Sequence, residues 1–401
     1  MRTFLAVMFG KLARLLIRLV RPGGGSALPG VIANKIQPKL LANAIKSIPG
    51  GLVVISGSAG KSSTTSYLVS LLQSHGVRVF TNTSTANIRQ GLVAAILAQS
   101  DLRGRIDFDI AVLEWDEGHG AVLAKELPIK LAVLTNVLSD QLDRFVDPEV
   151  VIEMLKTIGS EAESVLINAE DKNLCQLDFG KSPLAFGADR KQLPPDELSY
   201  ALNFGPHPAL SHFVTAGASS VTVHGLGRES VYETLALPRH QAMSLAAAVA
   251  ALELLVEVGP EIVQSRLLEL KPVFARNEPV VVADRQIDLR LVQNPTSFQK
   301  NLDELVGDEL PLMLMAGSDI HDPSWLWTVD FSKLNLVEIV GGFNASDLAL
   351  RLRFQGVEVG QVITEATEAG DVFLRLSGAR PTVLFSADAM RRVRRHWGLA
   401  K

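Results

Sequence analysis

The sequence predicts an α/β chain: a phosphate-binding domain on a parallel sheet, followed by a smaller Rossmann-like α/β domain. Three observations predict it. Short apolar runs alternate with helical patterns, which argues for a parallel sheet covered on both faces. One of these runs, Leu52-Val53-Val54-Ile55, leads through a glycine loop, Gly57–Thr65 (GSAGKSSTT), into a helix marked by Tyr67, Leu68, Leu71 and Leu72. Polar, largely acidic clusters then follow the apolar runs one after another, where parallel sheets bind their ligands.

At the N-terminus, residues 4–20 read FLAVMFGKLARLLIRLV. Lys11, Arg14 and Arg18 fall on one helical face and interrupt the apolar run too often for a good membrane span. Arginines within the apolar region and the lack of a small-residue cleavage site also argue against a signal peptide. Two readings of this leader stay open, an amphipathic basic helix on the anionic inner leaflet of a membrane and a helix packed on its own protein. Gly23–Gly30 is a loop, residues 31–48 read as one or two short helices, and Pro49-Gly50-Gly51 ends the leader.

In the glycine loop, Gly57 and Gly60 let the backbone turn and approach an anion, and the N–H groups at the helix start point at it. Lys61 is placed on the β- and γ-phosphates, Ser62 puts its hydroxyl on Mg²⁺, and Ser63 follows in the helix start. Only Ser58 and Ala59 separate the glycines, where the standard loop has four residues.

A second strand over Gly76–Phe80 runs into a polar loop, Thr81–Asn87, and a helix from about Gly91. The strand Phe108–Leu113 ends in Glu114, Asp116 and Glu117, with His119 behind. Acids after a strand are commonly helix caps or solvated, which is how Asp116 and Glu117 are read. Beside a phosphate loop one carboxylate has a metal to hold, because Mg²⁺ takes oxygen ligands, and Glu114 is assigned to it. His119 reads equally as structural, substrate-side or catalytic. The strand Leu131–Leu134 leads to Thr135-Asn136 and on to Asp140–Arg144, and Ser164–Ile167 leads to Asn168–Asp171. Residues 172–235 are weakly patterned, with short strands and loops expected, and Pro238–Val256 reads as a helix.

Composition changes around Lys271–Glu278, setting limits of 1–48 for the leader, 49–270 for the central domain and 271–401 for the C-terminal domain. Strands are expected at Ile287–Val292, Leu312–Met315, Val337–Val340 and Thr382–Phe385, and helices near Thr296–Leu305, Ser346–Phe354 and Ala387–Trp397. The stretch Asp319–Trp327 gathers two aspartates, a histidine and two tryptophans after a strand, which suits either a site or a tryptophan corner with capping aspartates. The terminal RRVRRH run is read as a solvated helix face.

A length of 401 residues allows two or three domains, and a net charge of −4 with 20% charged residues excludes a general nucleic-acid binder. The single cysteine, Cys175, excludes a disulfide framework within one chain and suits a reducing cytoplasm.

The motifs in order, GxxGKSSTT, Thr81-Asn82 with Ala86-Asn87, EWDE at 114–117, TNVLSDQLDRF at 135–145 and INAED at 167–171, resemble the ATP-binding domain of the Mur peptide ligases. RPGGGSALPG before the loop and FARNE, LVQNPTSF, SDIHDPSWLW and GGFNASDLALRLRFQG after it are similar to one family among them, MurT. The resemblance covers residues 12–390. It implies a Mur-ligase-like P-loop ATPase domain joined to a C-terminal MurT-type domain, using ATP and Mg²⁺. The implied reaction amidates the D-glutamate α-carboxylate of the lipid II stem peptide through an acyl phosphate, with ammonia from a GatD-like glutaminase in a heterodimer. It places the chain in the cytoplasm or at the inner face of the membrane. Lys61 and the metal are implied to supply charge, Ser62 and Glu114 to hold the metal, and Asn136, Asp140, Arg144 and Arg276 to shape the nucleotide and substrate side. Asp322, with Asp319 as second choice, is implied to complete the partner's Cys-His pair.

Several positions depart from the family pattern. No second cysteine follows Cys175, so no zinc is expected. Gln293 stands where lysine precedes Asn-Pro, Gln241 and Ser244 stand where the ligases carry adenine-side asparagines, and Phe385-Ser386-Ala387-Asp388 replaces a tyrosine-threonine motif. Two other functions stay open, a divergent ligase for another carboxylate and a non-catalytic scaffold.

Overall fold

The computed structural model describes residues 2–20, 27–82, 88–138, 148–193, 212–225, 228–270, 276–292, 294–305, 310–320 and 323–399. They form two compact units, one within residues 2–270 and one within 276–399.

The first unit opens with α1 (Arg2–Val20), α2 (Leu28–Ile36) and α3 (Leu40–Lys46). Then come β1 (Leu52–Ser56), α4 (Lys61–Ser74), β2 (Val79–Thr81), α5 (Arg89–Gln99), β3 (Ile110–Glu114), α6 (Glu117–Ala124), β4 (Ile129–Leu134), α7 (Pro148–Glu161), β5 (Ala162–Asn168) and α8 (Lys172–Gln176). It closes with β6 (Leu184–Ala188), β7 (His212–Ala216), β8 (Ser220–Gly225), β9 (Arg228–Glu233), α9 (Arg239–Leu255) and α10 (Pro260–Glu269). The nine strands form one sheet in the order β2-β3-β1-β4-β5-β6-β7-β8-β9. The pairs from β2 through β7 are parallel, and β8 and β9 add antiparallel strands.

This topology puts β1 between β3 and β4, with the chain crossing to opposite sides of it. A crevice opens at the carboxyl end of such a strand. All five residues of β1 are buried, as a strand covered on both faces requires. Gly76, at a φ of +77°, turns the chain out of α4, so the second strand starts at Val79 rather than at Gly76. Helix α9 is buried continuously from Gln241 to Leu252, and its alanines let it lie close against α4, β6 and β7.

The leader helices belong to the same core. Ala6 and Val7 of α1 are buried with Ala33 of α2 and Leu92 and Leu97 of α5. At Gly10 a Cβ would meet Leu97 Cδ1 at 2.6 Å and the Ala33 Cβ at 3.3 Å, so glycine permits the close crossing. Among the described residues no helix is long and apolar enough to cross a membrane.

The second unit comprises β10 (Arg276–Val282), β11 (Arg285–Leu291), α11 (Pro295–Asp303), β12 (Leu312–Met315), a 3-10 helix (Pro323–Thr328), β13 (Leu336–Gly341), α12 (Ala345–Phe354), β14 (Glu358–Ile363), α13 (Ala366–Arg375), β15 (Thr382–Phe385) and α14 (Ala387–His396). Its six strands run β10-β11-β15-β12-β13-β14, parallel except for the β10–β11 hairpin. The four expected strands are all present. β10, β14 and α13 are additions. The terminal basic run lies on α14 with its apolar side in the core (Ala389, Val393) and Arg391, Arg392 and Arg395 outward. Arg394 is the exception, a buried guanidinium donating to Glu278 at 2.8 Å.

Candidate phosphate-binding site

The site is built where β1 ends. Ser56 closes the strand, Gly57 turns at a φ of +129°, and Gly60 reaches +85° just before α4 begins at Lys61. A Cβ on Gly57 would lie 2.3 Å from Thr135 Oγ1 and 2.9 Å from the Asn136 carbonyl oxygen. The loop is thus pressed against the end of β4, and only glycine fits.

That strand end holds the loop in shape. The Ser58 N–H donates to the Asn136 carbonyl at 2.9 Å, and the Leu138 N–H donates to Ser58 Oγ at 3.1 Å. The Asn136 side chain spans Ala59, accepting from its N–H at 2.9 Å and donating to its carbonyl at 3.2 Å. Asn136, expected on the nucleotide side, has its amide committed to the loop itself, so it positions the cradle. The polar cluster after β5 works the same way. Asn168 Nδ2 donates to the Thr135 carbonyl at 2.9 Å, and Asp171 accepts from Val137 N at 2.7 Å while capping α8 through Leu174 N at 3.1 Å.

Burial pushes the Asp171 carboxyl up to about 6. Its backbone donors act in the opposite direction and do not overcome the lost hydration. The native state therefore binds a proton between the ordinary carboxylate pKa and about 6 that the unfolded chain does not bind. Stability from this group is greatest below that window and is lost as pH rises through it. Lowering pH from 7 to 5 should stabilise the wild type by about 1 kcal/mol relative to Asp171→Asn, read from urea midpoints at the two pH values. An equal pH response of the two proteins would remove Asp171 as the source.

Lys61 lies folded over the loop. Its Nζ donates to the Gly57 carbonyl, to the Ser58 carbonyl at 3.3 Å, and to Glu117 Oε1 at 2.7 Å. Glu117 is 1% exposed, and its second oxygen has no partner among the described residues. Glu117, read from sequence as a cap or solvated acid, is instead the buried counter-ion of the loop lysine. Asp116 caps α6 through His119 N at 3.2 Å and meets His119 Nδ1 at 3.1 Å, which ties His119 to a cap.

Glu114 is the last residue of β3, paired in register with Ile55 of β1, and is 5% exposed. Its backbone is fixed by Asn82, which accepts from Glu114 N at 2.9 Å and donates to Glu114 O at 3.0 Å. Ser62 lies half-buried in the first turn of α4. Behind it the hydroxyls of Ser63, Thr64 and Thr65 are buried and find no partner among the described residues. Ser244 of α9 stands beside the loop, its Oγ 3.2 Å from where a Gly60 Cβ would be.

Asp140, Arg144 and Asp322 lie outside the described residues, as do Gln293 and residues 83–87. Arg276 begins β10. Asp319 accepts from Ser386 Oγ at 2.6 Å, and Asn344 ties the same turn through the carbonyls of Gly317 and Ile320, both at 2.9 Å. Trp325 packs edge-on against Phe298 at 6.3 Å between centroids, and Trp327 meets Phe354 at 5.3 Å, so this stretch is in part a tryptophan corner. Cys175 sits on α8 with Sγ 3.5 Å from the Ala169 carbonyl. Among the described residues no three histidines, cysteines or acids gather as a metal cage.

The family model of the Mur ligase middle domain matches residues 55–251, and that of the MurT ligase C-terminal domain matches 291–379. The chain is 25% identical over 400 residues to the lipid II isoglutaminyl synthase (glutamine-hydrolyzing) subunit MurT of Staphylococcus aureus, covering 90% of both chains. It is 25% identical over 428 residues to the subunit of the same name from Streptococcus pneumoniae, covering 93% of this chain and 91% of that one. In fold it is similar to the MurF ligase of Thermotoga maritima solved in complex with ADP, with a TM-score of 0.64, 18% identity, and coverage of 92% and 83%. A loop-and-helix phosphate cradle in a parallel sheet, both family matches in order and relatives alike over nine-tenths of their length agree: the chain is a ligase of the Mur class and belongs to the MurT family.

Proposed function

We propose that the chain is the synthetase subunit of a lipid II isoglutaminyl synthase, amidating the D-glutamate α-carboxylate of the stem peptide with ATP and glutamine-derived ammonia. The observation that carries this is the cradle of Gly57, Gly60, Lys61 and Ser62 beside Glu114, in a chain similar along its length to subunits bearing that name. A carboxylate is a poor electrophile until one of its oxygens becomes part of a leaving group. Its oxygen attacks the γ-phosphorus and ADP departs. The ammonia nitrogen then attacks the acyl carbon, phosphate departs, and a proton is lost to give the amide.

The chain's residues suit these steps. The N–H groups at the start of α4 and the Lys61 ammonium face the charge that develops on the transferring phosphoryl. To do so Lys61 exchanges Glu117 for phosphate oxygens. Ser62, in the first turn of α4, and Glu114, at the end of β3 beside β1, offer only oxygen, which fits magnesium better than a softer metal, the remaining positions going to phosphate and water. Bound there, the ion would neutralise phosphate charge. Ser63, Asp140, Arg144 and Arg276 complete the proposed nucleotide and substrate side, and the limits 1–48, 49–270 and 271–401 belong to the same reading.

A GatD-like glutaminase is the proposed partner. Leu350 and Phe354, at 59% and 73% exposure, lie one turn apart on α12, with Trp327, at 41%, against Phe354, and Phe343, just before the helix, is 73% exposed. Large apolar side chains left exposed together support a partner there. Asp322 is proposed to orient the partner's histidine.

The test is amidation of lipid II by the chain with its candidate glutaminase, supplied either with glutamine or with ammonium. Asp322→Asn should lower the glutamine-dependent rate by about 10³-fold and leave the ammonium-dependent rate unchanged, because an orienting aspartate serves only the ammonia-generating centre. Loss of both rates would assign Asp322 elsewhere. A complex that forms and makes no amide from either donor would favour the scaffold, and turnover only with another carboxylate would favour the divergent ligase.

A further inference from the structure

We propose that the outer face of α1 is a docking surface for an anionic membrane. The inference deepens the reading above, since it says where a lipid-anchored substrate would be met. At 100° per residue α1 divides into sectors. Ala6, Val7 and Gly10 face inward onto α2 and α5. Opposite them, Phe4, Met8, Phe9, Leu12, Leu15 and Leu16 face solvent at 44%, 36%, 44%, 49%, 58% and 54% exposure. A helix packed on one side only normally carries polar residues on the other. Here the whole outward sector is large and apolar.

The rotation of the helix is fixed. Gly10 is seated under Leu97, and Lys11 Nζ donates to the Ser100 carbonyl at the end of α5. Turning the apolar face inward would lift Ala6 and Val7 out of the core. The sequence spacing sets Lys11 at one edge of that face and the exposed Arg2 at the other, and Arg2–Val20 contains no aspartate or glutamate.

Charge identifies the occupant. The chain as a whole carries −4, so its general surface would not draw it to an anionic bilayer, yet this helix has only positive charges. A second copy docking through the same face would bring two basic edges together with no acid from either helix to offset them. A bilayer offers acyl chains to the apolar sector and phosphates to its basic flank. The helix would lie in the interface, since none of the described helices is long and apolar enough to span.

The test is flotation of the full chain with phosphatidylcholine vesicles, with and without phosphatidylglycerol, at low and high salt. Binding is expected with phosphatidylglycerol and should weaken with salt. Leu12→Asp combined with Leu16→Asp should lower partitioning about a hundredfold without moving Tm or the amidation rate on detergent-dispersed precursor. That rate is measured without vesicles, so its absence counts against the proposed function and failure to float counts against the membrane face. A wild type that does not float, a double variant that floats equally, or a concentration-dependent dimer dissolved by the two substitutions would each overturn the proposal.

Discussion

Replacing Lys61 with alanine should lower ATP-dependent turnover by at least about 10³-fold, consistent with losing one preorganised charge at the transferring phosphoryl. The expected kinetic signature is a fall in kcat rather than a rise in KM alone, since that charge matters most when the phosphoryl is in flight. The structure adds a second effect. Lys61 is the counter-ion of Glu117, which is 1% exposed. Removing the lysine leaves a buried carboxylate without its charge partner and should cost about 3 kcal/mol of stability. Removing Glu117 as well should restore most of that stability and none of the activity, because the burden lies in the unpaired charge and not in the loss of the pair. Thermal unfolding of Lys61→Ala, Glu117→Ala and the double variant, beside their rates, would check this. A double variant as unstable as the sum of the singles would show that the two side chains are not coupled.

Gly57→Ala should be the most damaging of the glycine substitutions in this loop. The residue sits at a φ of +129°, and an added methyl would meet Thr135 Oγ1 at 2.3 Å, with Asn136 backbone atoms at 2.9 and 3.0 Å. Neither the conformation nor the space admits a side chain. Strain and overlap together should cost about 3–5 kcal/mol. Relief would require moving the loop off β4, taking the Ser58 and Ala59 hydrogen bonds with it. Gly76→Ala is the internal control. Its φ is also positive, at +77°, but nothing lies within 4 Å of the added carbon, so about 1 kcal/mol is expected. Denaturant titrations of the two variants should separate them clearly. Equal costs would mean that conformation alone, and not the contact with β4, decides.

The sequence carried the first sheet well because β1, β3, β4 and β5 are buried parallel strands, and burial on both faces writes itself as an unbroken apolar run. β14 carries no such signal. It is an edge strand, and Glu358, Gly360, Gln361 and Val362 are exposed. β10 opens on Arg276-Asn277-Glu278-Pro279 and turns through Asp284 at a positive φ, so it reads as a linker until the hairpin with β11 is seen. In the site, the loop and Glu114 were legible from strand-loop-helix order. Which of three neighbouring acids meets Lys61 was not. Glu114 and Glu117 are three residues apart, but one ends a strand and the other begins a helix, and that change of direction is what brings Glu117 to the lysine. The part Asn136 plays in holding the loop was hidden for a related reason. An asparagine at a strand end can serve a ligand or a neighbouring loop equally well, and only the two hydrogen bonds to Ala59 separate those roles.

The packing of α1 bears on how the protein can be handled. Its outer residues invite trimming, and a chain shortened to begin at residue 27 looks on paper like a better-behaved protein. Yet Ala6 and Val7 cover Ala33, Leu92 and Leu97. Trimming would exchange one greasy surface for another, now made of core side chains whose packing the rest of the unit depends on. Such a shortened protein should be recovered in poor yield and precipitate on warming, whereas point changes on the outer face at Leu12 and Leu16 should improve its behaviour in solution and leave the interior closed.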